Sequence, residues 1–240
     1  MTVSFPRLTL VELRKMVDTR AGFWLQLTVA ALTLIVVAAL CIFGDPDDLI
    51  FRDLLALATF PASVLLPIVG ILLVSSEWSQ RTALITFTLV PRRLRVMGAK
   101  IAASVVLGAV VLALAIVVAA VATVAVGGAW TLGGVVFLQI ALLCVTAILT
   151  GVAFGSAFLS SAPAIVLYFV LPFGFAALGS IPFLNDAAQW LDVTRTTSSM
   201  TDRALTAHEW AQFAVSQAVW LVLPLAIGLV RIARGEIRAA

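Results

Sequence analysis

The sequence predicts an all-α integral membrane protein with six transmembrane helices. The first supporting observation is composition: 62% of the 240 residues are hydrophobic, 11% are charged, and the mean hydropathy is +1.16. A soluble domain carries about 25% charged residues, so this chain has too few to cover a water-soluble core. The second is the grouping of apolar residues into six long stretches, and the third is the concentration of basic residues in alternate loops. We therefore expect one transmembrane domain, residues 1–240, embedded in lipid.

Each of the six stretches is long enough to cross a bilayer, since a helix needs about 20 residues to span about 30 Å of hydrocarbon. The first stretch exceeds the ~7–15 apolar residues of a signal peptide, which favours a retained helix. The fourth stretch is separated from the fifth only by Ser160-Ser161-Ala162 before Pro163, which predicts a tight cytoplasmic turn and leaves the boundary between them open. The predicted spans are 21–43, 54–75, 101–126, 134–160, 162–180 and 210–230.

Basic residues set the predicted orientation of these spans. Four Lys or Arg residues precede the first span, five lie in the second loop and three follow the last span. With the N-terminus inside, the cytoplasmic side carries 12 basic residues and the outer side carries three. Because basic loops stay in the cytoplasm, we expect a multi-pass protein of the cell membrane with both termini and the second loop cytoplasmic.

The spans lack the residues that ion-coupled transport or catalysis would use. Ionisable side chains are confined to the span ends, and the sole histidine, His208, lies in a loop without a set of catalytic partners. A GxxxxGK[ST] nucleotide-binding loop is absent, since Arg14 precedes Lys15 and Ala99 precedes Lys100. We therefore expect no catalytic, cofactor or metal site and no enzyme activity in this chain by itself. Any ATP would be bound by another chain.

An amphipathic segment, about residues 5–19, precedes the first span. Helical spacing divides it into an apolar side with Leu10, Leu13, Met16 and Val17 and a polar side with Glu12, Lys15 and Thr19. We expect such a helix to lie flat at the membrane surface, where three basic residues meet anionic headgroups. These residues are Arg14, Lys15 and Arg20. The alternative is a plain basic flank of the first span.

The second loop is predicted to contain a short helix with an exposed apolar side. Thr82 is placed to cap a helix that runs through Leu89, and Pro91 is placed to open the next one. Such a helix would expose Leu84 and Phe87 beside basic residues. This arrangement favours a docking surface for a cytoplasmic partner over a simple linker.

Two stretches carry a resemblance to a known family. In the second loop, Glu77 and Trp78 are followed by the short apolar helix, then by Pro91-Arg92-Arg93, and by Lys100 at the entrance to the third span. This pattern resembles the membrane subunits of type-2 ATP-binding-cassette (ABC) exporters, and Glu12-Leu13-Arg14-Lys15 is similar to part of their elbow helix. Many members carry Gly-Thr where this chain has Gln80-Arg81-Thr82. The resemblance covers essentially the whole chain.

The resemblance implies a permease with an N-terminal amphipathic elbow helix and a cytoplasmic coupling helix, about residues 77–90, that sits in a cleft of a separate ATPase subunit. ATP and Mg²⁺ would belong to that subunit, and a second copy or homologue of the permease would complete a dimer. Glu77 would be a charged contact or a hinge anchor with Arg81 beside it, and a simple interfacial ion pair is the alternative. The implied ATPase-coupling residues are Glu77, Trp78, Arg81, Leu84 and Phe87.

The resemblance also implies a substrate path between two permease halves, lined mostly by the second and fifth spans. The charge-free spans favour a hydrophobic or amphipathic cargo, such as a drug-like molecule or a lipid, moved outward by alternating access. Membrane lipid is a further expected partner, and nucleic acid is not. The candidate path residues are Thr59, Ser63, Tyr168 and Phe169.

Small residues recur along the fourth span at Ala147, Gly151 and Gly155. Such a ridge permits close approach of a second helix. The sequence leaves open whether that helix belongs to the same chain or to a partner subunit.

Two other functions remain open on the sequence. The chain could be a membrane scaffold or sensor that recruits a cytoplasmic partner through its basic second loop, or an intramembrane enzyme. Co-purification of an ATPase distinguishes the exporter subunit from both.

Overall fold

The computed structural model describes residues 4–45, 49–80, 82, 86, 88, 90, 92–179 and 181–234. Within these residues 86% of the chain is helical and there is no β-strand. Arg81, Leu84 and Phe87, which were predicted to couple to an ATPase, lie outside the described residues.

Ten α-helices follow one another in the described part of the chain. They are α1 (Phe5–Asp18), α2 (Arg20–Phe43), α3 (Phe51–Ser79), α4 (Arg93–Val126), α5 (Gly134–Phe158), α6 (Ser161–Leu178), α7 (Asn185–Leu191), α8 (Val193–Ser198), α9 (Ala207–Gln217) and α10 (Leu223–Arg234). A 3₁₀ turn, Pro182–Leu184, precedes α7, and a π-helical turn, Ala218–Val222, joins α9 to α10.

Five of these segments are long and apolar enough to cross a membrane: α2, α3, α4, α5 and the continuous stretch Ala207–Arg234. The predicted all-helical membrane protein is confirmed at this level. A sixth span is formed only if Ser161–Ala177 and Pro182–Leu191 are counted together, because these two pieces meet at 115°. The chain therefore bends at the end of the predicted span 162–180, and Pro182, which has no backbone N–H to extend the helix, follows the break.

The second and third predicted spans are longer in the structure than their apolar stretches. Helix α3 has 29 residues and carries Glu77 in its last turn. Helix α4 has 34 residues and begins at Arg93, so Lys100 lies inside the helix and not ahead of it. Hydropathy locates the apolar centre of each helix but misses these polar extensions. The two extensions lie at the same end of the bundle, on either side of the second loop.

Helix α3 lies at the centre of the bundle, with 61% of its apolar window buried against 17% for α2. It packs backbone to backbone on α5. A Cβ added at Gly151 would lie 2.0 Å from the carbonyl oxygen of Pro67, and one at Gly155 would lie 2.8 Å from that of Ile71. The small-residue ridge therefore packs within this chain, against the second span.

At the opposite end of the bundle, the buried side chain of Gln139 fastens the segment between α8 and α9 to α5. Its Nε2 donates to the carbonyl oxygens of Met200 at 2.9 Å and Arg203 at 2.8 Å. Its Oε1 accepts a hydrogen bond from the backbone N–H of Leu205 at 3.0 Å. One amide side chain thus uses both its donors and one acceptor to hold residues 200–205 in place.

Replacing Gln139 by Leu is expected to release this segment. The change leaves a buried backbone N–H and two carbonyls without their partner, which costs about 1–3 kcal/mol of local stability. Hydrogen exchange of peptides covering residues 199–206 measures the effect. Gln189→Leu is the matched control, since Gln189 is exposed on α7. Equal protection of the segment in both variants would contradict this account of Gln139.

Candidate functional site

Four charged side chains meet where α1, α3 and α4 converge, and we call them the ion network: Glu12, Lys15, Glu77 and Lys100. Lys100 Nζ donates to Glu12 Oε2 at 2.7 Å and to Glu77 Oε1 at 2.8 Å. Lys15 Nζ donates to Glu12 Oε1 and to Glu77 Oε1, each at 2.7 Å. Each lysine therefore bridges both carboxylates. The network ties the helix before the first span to the end of the second span and the start of the third.

Three members of the ion network are buried: Glu12 is 0% exposed, Lys100 is 1% and Glu77 is 6%. The third N–H of Lys100 donates to the carbonyl oxygen of Leu73 at 3.0 Å, so all its donors are used. Removing an ion from water costs several kcal/mol unless partners satisfy it, and here two carboxylates face two ammonium groups. The pairing makes the burial tolerable and also makes each partner hard to remove.

Helix α1 positions Glu12 toward the protein. Leu8, Glu12 and Met16 recur at every fourth residue, so they share one face of the helix, and that face is buried. Leu10 and Val17, by contrast, are 48% and 39% exposed. The predicted orientation of this helix was therefore wrong for two residues. Glu12 faces the protein and not the membrane surface, and Met16 faces the protein and not the lipid. An apolar face can be left toward lipid, whereas the carboxylate of Glu12 needs the lysines inside the bundle.

Apolar side chains pack around the ion network on the side of α4 and α10. Leu8, Val74, Met97 and Ile232 belong to one buried cluster, and Trp78 packs against it half-buried. Water is thus excluded from this side of the charges. Such an environment strengthens the attraction between the carboxylates and the lysines.

Lys15 is the member of the ion network with the most contact with solvent, since 35% of its side chain is exposed. Partial burial lowers the pKa of Lys15, but Glu12 and Glu77 outweigh this effect and raise the pKa above the ordinary value of 10.5. Lys15 therefore keeps its positive charge at neutral pH. Because a raised lysine pKa stabilises the fold at every pH below the unfolded value, the contribution of the Lys15 charge is lost as the pH rises through its folded-state pKa.

The second loop begins directly at the ion network. The backbone N–H of Thr82 donates to the carbonyl oxygen of Glu77 at 2.9 Å. The N–H of Thr86 then donates to the oxygen of Thr82 at 3.1 Å, and that of Val90 to the oxygen of Thr86 at 3.0 Å. The first bond spans five residues, and the other two have the four-residue spacing of an α-helix. The loop therefore leaves α3 through one wider turn and continues with α-helical hydrogen bonds, and its root is the residue that carries the buried carboxylate.

The predicted surface and coupling residues divide between two environments. Glu77 and Lys15 lie in the ion network, whereas Arg14 and Arg20 are exposed. Glu12 and Lys100 belong to the two sequence patterns described above, but no role was predicted for either residue. Two features of the sequence could have indicated that these residues are buried. Glu12 lies four residues from both Leu8 and Met16, and Lys100 stands alone at the edge of an apolar stretch.

The four candidate path residues also fall in two places. Thr59 and Ser63 line one cavity of about 500 Å³, together with Phe60, Asp53, Asp202 and others. Their hydroxyls donate to carbonyl oxygens of their own helix, which leaves the lone pairs of the hydroxyl oxygens able to accept hydrogen bonds. Tyr168 and Phe169 lie on α6, where the Tyr168 ring meets Phe154 edge-on at 5.7 Å. Neither Tyr168 nor Phe169 lines the cavity of Thr59 and Ser63.

The chemistry of the ion network is that of a joint between helices, since its carboxylates are held by lysines and leave no paired acid and base for catalysis. In the described part of the chain, no group of three or more His, Cys, Asp or Glu residues could hold a metal ion.

No family model matches the sequence, and comparisons with curated proteins and with solved structures give no match.

Proposed function

We propose that this chain is the membrane permease subunit of an ATP-driven exporter of the type-2 ABC class. The proposal has support at two levels. The chain has five to six apolar helices of spanning length, which suit a transport subunit. Its sequence has no nucleotide-binding loop, so ATP and Mg²⁺ bind to a separate ATPase subunit.

The observation that carries the proposal is the buried ion network at the root of the second loop. A loop that only connects two spans has no need of four charges beside a membrane, where each buried charge is costly. A loop that transmits movement does need a rigid attachment. Lys100 and Glu77 join the two helices that flank the loop, and Glu12 adds the helix before the first span. A force on the loop is therefore passed to three helices together.

In this proposal α1 is the elbow helix and residues 77–90 form the coupling segment. Glu77 acts as the anchor of this segment and not as a contact to the ATPase, because its carboxylate is bound inside the chain. Leu84, Phe87 and Arg81 supply the contact to the ATPase. The termini and the second loop lie in the cytoplasm, as the distribution of basic residues favours.

The exporter works as two permease subunits, either two copies of this chain or this chain with a homologue. Its cargo is hydrophobic or amphipathic. The Thr59 and Ser63 cavity supports this class, since it combines apolar walls with hydroxyl oxygens and two carboxylates. Transport occurs by alternating access, and ATP hydrolysis in the partner drives it outward.

Co-expression with each ABC ATPase subunit of the source organism in turn tests the proposal. The test variant is Leu84→Asp with Phe87→Asp, and the matched control is Phe43→Asp with Phe183→Asp, two residues that are 85% and 82% exposed at the other end of the bundle. We expect the ATPase to co-purify with wild type and with the control, and the loop variant to lose it. Glu77 is avoided because its removal would disturb the fold.

The alternative outcome is equally specific. A chain that co-purifies with no ATPase, or a loop variant that retains the ATPase with unchanged turnover, would contradict the exporter assignment. A scaffold or sensor that uses its basic loop would then be the better description.

A further inference from the structure

A cavity of about 700 Å³ lies beside the ion network. It is bounded by the end of α1, the first turn of α2, the last turns of α3, two threonines of the second loop and the start of α6. Pockets that bind small ligands have volumes of about 300–1,000 Å³. The cavity is thus large enough for a phospholipid headgroup and the first part of an acyl chain.

The walls of this cavity are amphipathic. One part is polar and includes Lys15, Arg20, Gln80, Thr82 and Thr86. The other part is apolar and is formed by Met16, Val69, Leu72 and Leu73. A ligand that fits both parts has a polar head and a hydrocarbon tail.

The charge of the cavity favours an anionic head. Glu77 also lines it, but both lysines of the ion network neutralise that carboxylate. Lys15 uses two of its three N–H groups in those pairs. The exposed guanidinium of Arg20 has no ion-pair partner among the described residues. The two lysines and the two carboxylates of the ion network cancel in charge. The net positive charge at the cavity therefore comes from Arg20, and Lys15 offers one further N–H.

We propose that this cavity binds the phosphate headgroup of an anionic phospholipid. The phosphate lies between Arg20 and the third N–H of Lys15, where charge-assisted hydrogen bonds are strongest. The hydroxyls and amide of the loop side receive the rest of the headgroup, and one acyl chain runs along Val69 and Leu72. A free phosphate would leave this apolar wall uncovered, so the lipid is the better occupant.

A lipid bound at this position would hold several helices together. Its headgroup contacts α1, α2, the end of α3 and the threonines of the second loop at once. The bound lipid therefore braces the joint formed by the ion network. This inference concerns the chain alone and does not depend on an ATPase partner.

Native mass spectrometry of the purified 240-residue chain tests the site. The chain is given equal amounts of phosphatidylglycerol and phosphatidylcholine, and retained lipids are counted for wild type, Arg20→Gln, Arg14→Gln and Ala21→Trp. Arg14 is the matched control because it is an exposed arginine of α1 outside the cavity lining. Ala21→Trp fills the cavity without changing any charge. Soluble glycerol 3-phosphate is added in a separate series to compete as a headgroup without acyl chains.

We expect wild type to retain phosphatidylglycerol over phosphatidylcholine, and Arg20→Gln to lower that retention about fivefold. Ala21→Trp should lower it as well, and Arg14→Gln should leave it unchanged. Equal losses in the Arg14 and Arg20 variants would overturn the proposal, since they would indicate general attraction to basic residues. Displacement by glycerol 3-phosphate at the concentration at which the lipid binds would also overturn it and assign the site to a soluble phosphate.

Discussion

Lys100→Met is expected to destabilise the protein by about 3–5 kcal/mol, the usual cost of breaking a buried ion pair by removing one partner. Lys100 is 1% exposed and bridges Glu12 and Glu77. Its loss leaves two buried carboxylates with Lys15 as their remaining partner in the network. Because Glu12 and Glu77 belong to α1 and α3, we expect these helices to separate from α4 and folded protein to decrease sharply.

The measurement is the midpoint of thermal aggregation in detergent, followed by size-exclusion chromatography with fluorescence detection. Lys15→Met is the matched control, since it removes the same charge from a side chain that is 35% exposed and leaves Lys100 in place. We expect the control to lose less, about 1–3 kcal/mol, because the ammonium group that it removes is partly solvated, although two buried carboxylates each lose a hydrogen-bond donor. If both variants melt together, Lys100 does not hold the joint and the ion network is not the rigid element described above.

Gly151→Val is expected to have the second-largest effect, because α3 and α5 are in backbone contact at this residue. Any side chain here would place its Cβ 2.0 Å from the carbonyl oxygen of Pro67, closer than atoms can approach. The two helices must then move apart and lose the packing that holds membrane helices together. Overpacking of this kind costs about 1–3 kcal/mol, and more where backbone must shift.

Gly174→Val is the matched control for this prediction. Gly174 also lies within a helix, but a Cβ there meets no atom within 4 Å. The same chromatographic melting midpoint should fall for the Gly151 variant and change little for the Gly174 variant. A stable Gly151→Val protein would show that α3 and α5 are not packed as closely as the structure has them.

The sequence was sufficient to predict the apolar helices because span length depends on local hydropathy alone. It was less informative for the helix at 161–178. Pro172 and Pro182 show that this apolar stretch is interrupted, but they do not determine the 115° angle between the two helical pieces. The helix ends were also missed. Glu77 and Lys100 extend α3 and α4 because partners from another helix satisfy them, and hydropathy counts both as residues outside the membrane.

The ion network could not be predicted because its members are far apart in the chain. Glu12 and Lys100 are separated by 88 residues, and Lys15 and Glu77 by 62. Periodicity shows which residues share a face of one helix, but not which helix that face meets. The same limit explains the candidate path residues, since Thr59 and Ser63 share a cavity while Tyr168 and Phe169 pack elsewhere.

The most direct test of the central claim is site-specific photo-crosslinking from the second loop. A photoreactive amino acid is placed at Thr88, which is exposed, and in a separate variant at Trp130, which is 60% exposed near the other end of the bundle. Both are co-expressed with each ABC ATPase subunit of the source organism in turn. We expect a crosslink to the ATPase from position 88 and none from position 130. Absence of the ATPase from both, or equal capture at both, would contradict a coupling segment in this loop.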